Sequence, residues 1–218
     1  MIRHPHNTNL ILHYEHAYKG LPIQTEKGPF IRNYLERLYQ TMVNSINQHP
    51  RTFAFRVDLR LPTGILIHNS FLTNIVMERF IESFKAKIRH NRHKVRQERP
   101  YAHDSNVRYV WAREFSEERN PHYHIAILLN NDAFCTLGNF CSESRNMFHR
   151  LEEAWASALC LHVGEVRGLV EIPRNACYRL RRDDRDSQAD FFYRTSYLCK
   201  ADTKVYGDGS HGFGASRA

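Results

Sequence analysis

The residues of this chain that most plainly invite chemistry are two histidines one residue apart, His122 and His124, in the run Pro121-His122-Tyr123-His124-Ile125-Ala126-Ile127-Leu128-Leu129. In an extended strand successive side chains alternate, so both imidazoles point one way and Tyr123, Ile125, Ile127 and Leu129 the other. The segments 107–115 and 122–129 read as a hairpin of aromatic and β-branched strands around the polar turn 116–120. A turn symmetric about Glu118 sets residue 114 opposite 122 and residue 112 opposite 124. Glu114 then shares a face with His122, its Cβ roughly 4.5 to 5.5 Å away. Two imidazoles and one carboxylate on adjacent strands make a three-ligand divalent site with coordination positions left for water or phosphate oxygens. Asp58, on an earlier strand, stands either as a fourth ligand or as a partner for Arg56 or Arg60.

A second group lies near the C-terminus, where Tyr193, Tyr197 and Lys200 recur at i, i+4 and i+7. On a helix from about residue 187 to 200 these fall within about 60° of one another. Phe191, Thr195 and Leu198 take the opposite face, so the helix can dock on its apolar side and present two phenols and an ammonium to a sheet. Spacing alone accommodates ordinary tyrosine packing with Lys200 reaching along a rim equally well. The histidines at 4, 6, 13 and 16 fall in a leader without periodicity, Cys or paired acids, and read as an irregular, mobile segment rather than a metal cluster.

Around these groups the chain supplies elements in a definite order. A helix is expected from Pro29, at its first position, to before Pro50, with Leu35, Leu38, Met42 and Ile46 on one face. Phe53, Phe55, Val57, Leu59 and Leu61 alternate with Ala54, Arg56, Asp58 and Arg60 as in a half-buried strand. A long helix capped by Asn69 or Ser70 follows, carrying Leu72, Ile75, Val76, Phe80, Phe84 and Ile88. After the hairpin come a helix over 142–162 capped by Ser142, a weak fourth strand over 168–172, a charged stretch over 179–186 and the tyrosine helix. The order β-α-β-β-α-β predicts an α+β, ferredoxin-like sandwich, its helices on one face of an antiparallel sheet and the other face free for a site. The expected organisation is a leader and helix over 1–50, a main domain over 51–206 and a glycine-rich tail over 207–218 with no packing signal.

Lys and Arg number 31 against 23 Asp and Glu, a net charge of +8 that favours a polyanionic partner. Lys85, Lys87, Arg89, Arg92, Lys94, Arg96 and Arg99 face only Glu98, so Lys85, Arg89, Arg92 and Arg96 in particular are expected to contact phosphates. Five cysteines without a C-x-x-C pair argue against a disulfide framework and for a reducing cytoplasm. No apolar run approaches the ~20 residues of a membrane span, so no membrane partner is expected. There is no G-x-x-x-x-G-K-[ST], which leaves any ATP-driven strand separation to another protein.

The strand Pro121-His122-Tyr123-His124, followed by Tyr193-Arg-Thr-Ser-Tyr197-Leu-Cys-Lys200, resembles the HUH endonuclease superfamily, and the paired tyrosines resemble two-tyrosine rolling-circle replication initiators. The segment 55–62, the run Trp111-Ala-Arg-Glu114 and residues 192–204 are similar to inovirus-type replication proteins and the YagK/YfjJ-type prophage family. The resemblance spans roughly residues 50–206. It implies a ferredoxin-like nuclease core, a Mg²⁺ or Mn²⁺ ion and a transient 5′-phosphotyrosine.

Taken together, the expected activity is site-specific nicking and strand transfer on single-stranded or supercoiled origin DNA of a phage or prophage-like element. His122, His124 and Glu114 hold the ion, and Tyr197, Tyr193 and Lys200 do the chemistry in the bacterial cytoplasm, with a separate helicase and replication machinery as partners. Tyr197, one turn from Lys200, is expected to attack first. The alternative is a non-catalytic DNA-binding prophage regulator that keeps the same fold.

Overall fold

The structure is a computed structural model that describes residues 2–62, 73–115, 120–140, 146–207 and 209–217. The expected caps Asn69, Ser70 and Ser142, the stripe residue Leu72 and the turn centre Glu118 lie outside these residues.

The leader forms β1 (Arg3–His4), β2 (Asn7–His13), β3 (Ala17–Tyr18) and β4 (Leu21–Pro22), and β5 (Phe30–Ile31) comes just before the first helix. β1, β2 and β5 build a three-stranded sheet, while β3 and β4 make a hairpin. The two turn residues of that hairpin, Lys19 and Gly20, both take positive φ, +50° and +75°. This is the backbone that matches the twist of a two-residue hairpin. The expectation of an irregular leader is thus corrected. The first helix also starts later than Pro29, because Phe30 and Ile31 are used as a strand against His13 and Leu12.

The main body follows as α1 (Arg32–Gln48), β6 (Arg51–Arg60), α2 (Ile75–Glu98), β7 (Arg108–Phe115), β8 (Pro121–Asn130), α3 (Met147–Leu159), β9 (Val170–Glu171), β10 (Cys177–Arg181), α4 (Arg185–Ser196) and β11 (Phe213–Ala215). The fold is mixed α+β around a six-stranded antiparallel sheet in the order β10-β6-β8-β7-β11, with β9 also paired to β6. No helix among the described residues is long and apolar enough to cross a membrane.

Alternation along the central strands splits the protein into two cores. Phe53, Phe55, Val57, Leu59, Trp111, Tyr123, Ile125, Ile127 and Leu129 face α2 and α3, meeting Phe80, Phe84, Leu151 and Trp155. Trp155 also donates Nε1–H to the Arg60 carbonyl at 2.8 Å, fixing α3 across the end of β6. The opposite face carries Ala54, Val110, Ala112, Ala126 and Leu128, against which Leu35, Leu38 and Met42 of α1 and Phe191 and Phe192 of α4 are packed. Helices therefore cover both faces of the sheet, a correction to the one-sided arrangement expected. Three alanines on that face let helices approach closely, and Arg56, Asp58, His122 and His124 share the same face, with Ala126 opposite Arg56 and Ala112 opposite His124.

Three further expectations are revised. The charged stretch over 179–186 contributes most of β10, longer than the two-residue β9 found where a fourth strand was expected. Leu180 lies beneath the helices while Arg179 and Arg181 point to the exposed side, so charge on an edge strand concealed its alternation. α3 begins at Met147 with Asn146 as its cap, the side chain accepting the His149 N–H. The tail does pack: β11 extends the sheet beyond β7, and Phe213 stacks on Tyr34 with ring centroids 4.2 Å apart and planes 4° apart. Gly214 pairs with Trp111, whose indole comes within 2.5 Å of where a Cβ would stand. Only glycine fits beneath that ring.

Candidate metal and tyrosine site

Pairing of β7 with β8 sets Glu114 opposite His122 and Ala112 opposite His124, the register that the sequence predicts. β6 adds Asp58 opposite His124 and Arg60 opposite His122. Glu114, His122 and His124 each offer a ligand atom, and these atoms lie within 4.8 Å of one another. Donors about 2.1 Å from a common ion stand at most about 4.2 Å apart, so a small side-chain rotation closes the set. One carboxylate and two imidazoles suit a divalent ion, and these residues fit the group that the sequence resemblance implies.

Asp58 sits behind the donor set. Its Oδ1 is 2.7 Å from His124 Nδ1, and Arg56 donates to both Asp58 oxygens, from Nε at 3.1 Å and from the guanidinium tip at 3.3 Å. Arg56 also comes within 3.0 Å of His124 Nδ1. The shorter contact and the two guanidinium bonds to Asp58 identify Nδ1 as the protonated nitrogen donating to Asp58. Nε2 faces Glu114 Oε2, 3.5 Å away. Asp58 thus takes the role of an orienting partner for His124 and of a counter-charge for the buried Arg56. Burial pushes the Asp58 carboxyl up, but the hydrogen bond and charge of His124 and the Arg56 guanidinium outweigh it and hold it low.

Glu114 is held in the same way. Burial again raises its carboxyl, and His124, Lys204 and Lys200 together drive it well below the usual range. Burial and the neighbouring His124 lower the His122 imidazole, against the pull of Glu114 and Asp58, which favours the neutral form that can ligate.

Tyr197 stands over this cluster. α4 ends at Ser196 and the chain tightens into a 3₁₀ turn over Tyr197–Cys199. Thr195 and Ser196 hydroxyls bond back to the Phe191 and Tyr193 carbonyls, and the Gln24 side chain donates to the carbonyls of Tyr193 and Arg194 at 3.0 Å each. Those bonds satisfy the helix end, which lacks intrahelical partners. Phe30 then bridges Lys200, and Ala201 donates to the Pro29 carbonyl. The leader is therefore part of the scaffold that presents the tyrosine.

The Tyr197 ring meets His124 edge to face at 5.6 Å, with the Arg56 guanidinium 5.0 Å from its centroid. Lys200 Nζ donates to Tyr197 Oη at 2.5 Å and reaches Glu114 Oε2 at 3.1 Å. Lys204 Nζ holds the other Glu114 oxygen at 3.2 Å from a wholly buried position. Apart from the imidazoles, Arg56, Lys200 and Lys204 against Asp58 and Glu114 leave a net +1, a balance suited to an anionic substrate.

Tyr193 is placed differently. It is 42% exposed on the last turn of α4 and makes no hydrogen bond or ring contact with the triad. The change from α-helix to 3₁₀ turn after Ser196 breaks the common face on which both phenols were expected.

The basic end of α2 lies on the other face of the sheet, with Lys85 over the Tyr109 ring and Arg92 over Phe134. Tyr109 is five residues along β7 from Glu114, a separation of about 17 Å. The cations there were expected to lack partners, and several have them. Lys85 pairs with Glu82, Lys87 with Glu153 and Arg96 with Asp104, while Arg92 is buried and donates to the His103 carbonyl. An i,i+3 acid and acids brought in by folding provide this pairing. Arg89 remains exposed.

Sequence reasoning missed Arg56 as a site residue and missed Lys204 and Gln24 altogether. Arg56 had a signal, two residues from Asp58 on one strand. For Lys204 the only hint was its spacing of four from Lys200, and nothing local marks Gln24.

A two-sided α+β sheet carrying a carboxylate–imidazole donor set with a phenol against it defines the class. The chain belongs to the YagK/YfjJ C-terminal domain family, which it matches over residues 13–216. It is 32% identical to the protein YfjJ of Escherichia coli (strain K12), covering 88% of this chain and 98% of YfjJ. To YagK of the same strain it is also 32% identical, over 89% of this chain and 97% of YagK. No solved structure matches the chain.

Proposed function

We propose that this protein is a divalent-ion-dependent HUH-type tyrosine endonuclease that nicks and rejoins single-stranded DNA to start rolling-circle replication of a prophage-like element. The observation that carries the reading is Tyr197 Oη on Lys200, with the Tyr197 ring against His124 of the donor set. The strand order β10-β6-β8-β7, which is fourth, first, third and second in the βαββαβ sequence, supports a ferredoxin-like core.

In this reading Glu114, His122 and His124 would hold Mg²⁺ or Mn²⁺, which would supply charge neutralisation at the scissile phosphate. Tyr197 Oη forms a bond to phosphorus as the P–O3′ bond breaks, and the phenolic proton is made good on the departing 3′ oxygen. Lys200 stabilises negative charge on Oη, and Arg56 with His124 fixes the ring. The 3′-OH primes synthesis, and the 5′-phosphotyrosine conserves the bond for rejoining. Tyr193, exposed one turn earlier, is available for a second transfer. Supercoiled or single-stranded origin DNA is the substrate, and a separate helicase opens the duplex.

The test is incubation of the protein with end-labelled single-stranded origin oligonucleotides and Mn²⁺, then denaturing electrophoresis. A 3′ fragment joined to the protein through its 5′-phosphate, together with a free 5′ fragment ending in a 3′-OH, is expected, and both should disappear in Tyr197→Phe. Specific binding without any covalent adduct, at every origin segment tried, would instead favour a DNA-binding regulator.

A further inference from the structure

We propose that the two carboxylate oxygens of Glu114 have separate partners with separate duties: Lys204 fixes Oε1 permanently, whereas Lys200 is an exchangeable partner of Oε2 that a divalent cation displaces onto Tyr197. This rests on the reading of Glu114, His122 and His124 as a cation site and adds to it a linkage between cation binding and the tyrosine.

The two lysines differ in every respect that governs exchange. The Lys204 side chain is wholly buried, and among the described residues its hydrogen-bond partner is Glu114 Oε1 at 3.2 Å. Its stem is closed in by the tail, since a Cβ on Gly212 would stand 3.3 Å from Lys204 Cδ. An ammonium buried in this way cannot leave its carboxylate without a large desolvation cost. Lys200 lies at the rim, its side chain 10% exposed, and already has two acceptors, Glu114 Oε2 at 3.1 Å and Tyr197 Oη at 2.5 Å. It can give up one and keep the other.

Oε2 is also the oxygen turned to His124 Nε2, 3.5 Å away, and so the one presented to the donor set. An ammonium on that same oxygen repels a divalent cation strongly at such short range. Lys200 and the cation therefore compete for Oε2. Lys204 continues to hold Oε1, so Glu114 keeps its orientation during the exchange. Lys200, released from Glu114, has Tyr197 Oη as its remaining partner, which couples occupation of the cation site to the ammonium's full engagement with the phenol.

The linkage predicts opposite effects for neighbouring substitutions. Mn²⁺ affinity is measured by electron paramagnetic resonance on the full chain, with thermal melts to verify folding. Lys200→Met removes the competitor and should tighten Mn²⁺ binding by about tenfold. Tyr197→Phe keeps every ring atom, so it should fold, but it takes away Lys200's alternative acceptor and should weaken Mn²⁺ binding by roughly three- to fivefold. In the Lys200→Met background the same Tyr197→Phe change should have no effect. Lys204→Met removes an equal charge from the other oxygen and should tighten binding distinctly less than Lys200→Met. Unchanged or weaker binding in Lys200→Met overturns the proposal, as does equal tightening by both lysine variants. A Tyr197→Phe loss that persists in the Lys200→Met background also overturns it, since the phenol would then meet the cation directly. If the folded wild type binds no Mn²⁺ at all, the cation site itself is refuted, and with it this linkage.

Discussion

Asp58→Asn isolates the contribution of a carboxylate that lies behind the donor set. The substitution keeps size and shape but removes the charge that faces His124 Nδ1 at 2.7 Å and Arg56 Nε at 3.1 Å. Two consequences follow. His124 keeps a neutral hydrogen-bond acceptor, so its tautomer is retained, but its Nε2 becomes a poorer donor to a metal. Losing such an orienting partner typically weakens metal binding 10- to 100-fold, which is about 1.4 to 2.7 kcal/mol at 1.36 kcal/mol per tenfold. Arg56, 7% exposed, is also left without its counter-charge. Breaking a buried pair from one side costs about 3 to 5 kcal/mol at the upper limit. The partial exposure of this pair, and the 3.0 Å contact of Arg56 with His124, reduce that to about 1 to 3 kcal/mol. Mn²⁺ titration together with urea unfolding measures both. Affinity within twofold of wild type would refute the orienting role. Complete loss of binding in a folded variant would show Asp58 to be a fourth ligand instead.

Tyr197→Phe should abolish most covalent adduct in single-turnover assays while Tyr193→Phe still nicks and fails at a second transfer; the reverse pattern would refute the assignment drawn from the position of Tyr197 over His124. The depressed carboxyls of Glu114 and Asp58 stabilise the fold above their unfolded values near ~4, and this contribution is lost as pH falls through the lower folded values. The lowered His122 adds a loss that begins below about 6.5, the unfolded value. Thermal melts from pH 7 to 3 should therefore drop, and Glu114→Gln should flatten the acid limb; parallel limbs in the two proteins would contradict the linkage. Arg92→Ala should destabilise by about 1 to 3 kcal/mol through its lost bond to the His103 carbonyl and its contact with Phe134, and Arg89→Ala should leave stability unchanged. Urea midpoints that rank these two the other way would restore Arg92 to a purely surface role.

What the sequence determined by itself is what local rules reach. Alternation along 121–130 and a short turn were enough to place His122 and His124 on one face and Glu114 across from His122, because a period of two and hairpin pairing leave little freedom once one face is apolar. Helical periodicity likewise located α1, α2 and α3. Their ends shifted where caps or strand pairing intervened, as Phe30 and Ile31 show.

Long-range packing decided the rest. The face bearing Ala54, Ala112 and Ala126 read as open because small and charged residues alternate there, yet alanine is what allows α1 and α4 to lie against it. Gln24 at the end of α4, Phe30 beside Lys200 and Phe213 on Tyr34 each join residues more than a hundred positions apart, and Lys204 reaches Glu114 across 90. No periodicity encodes such pairs. The site took its final form there, because burial is what turns a second lysine into a fixed partner of Glu114, and a helix end tightened by the leader is what brings one tyrosine to the histidines and leaves the other at the surface.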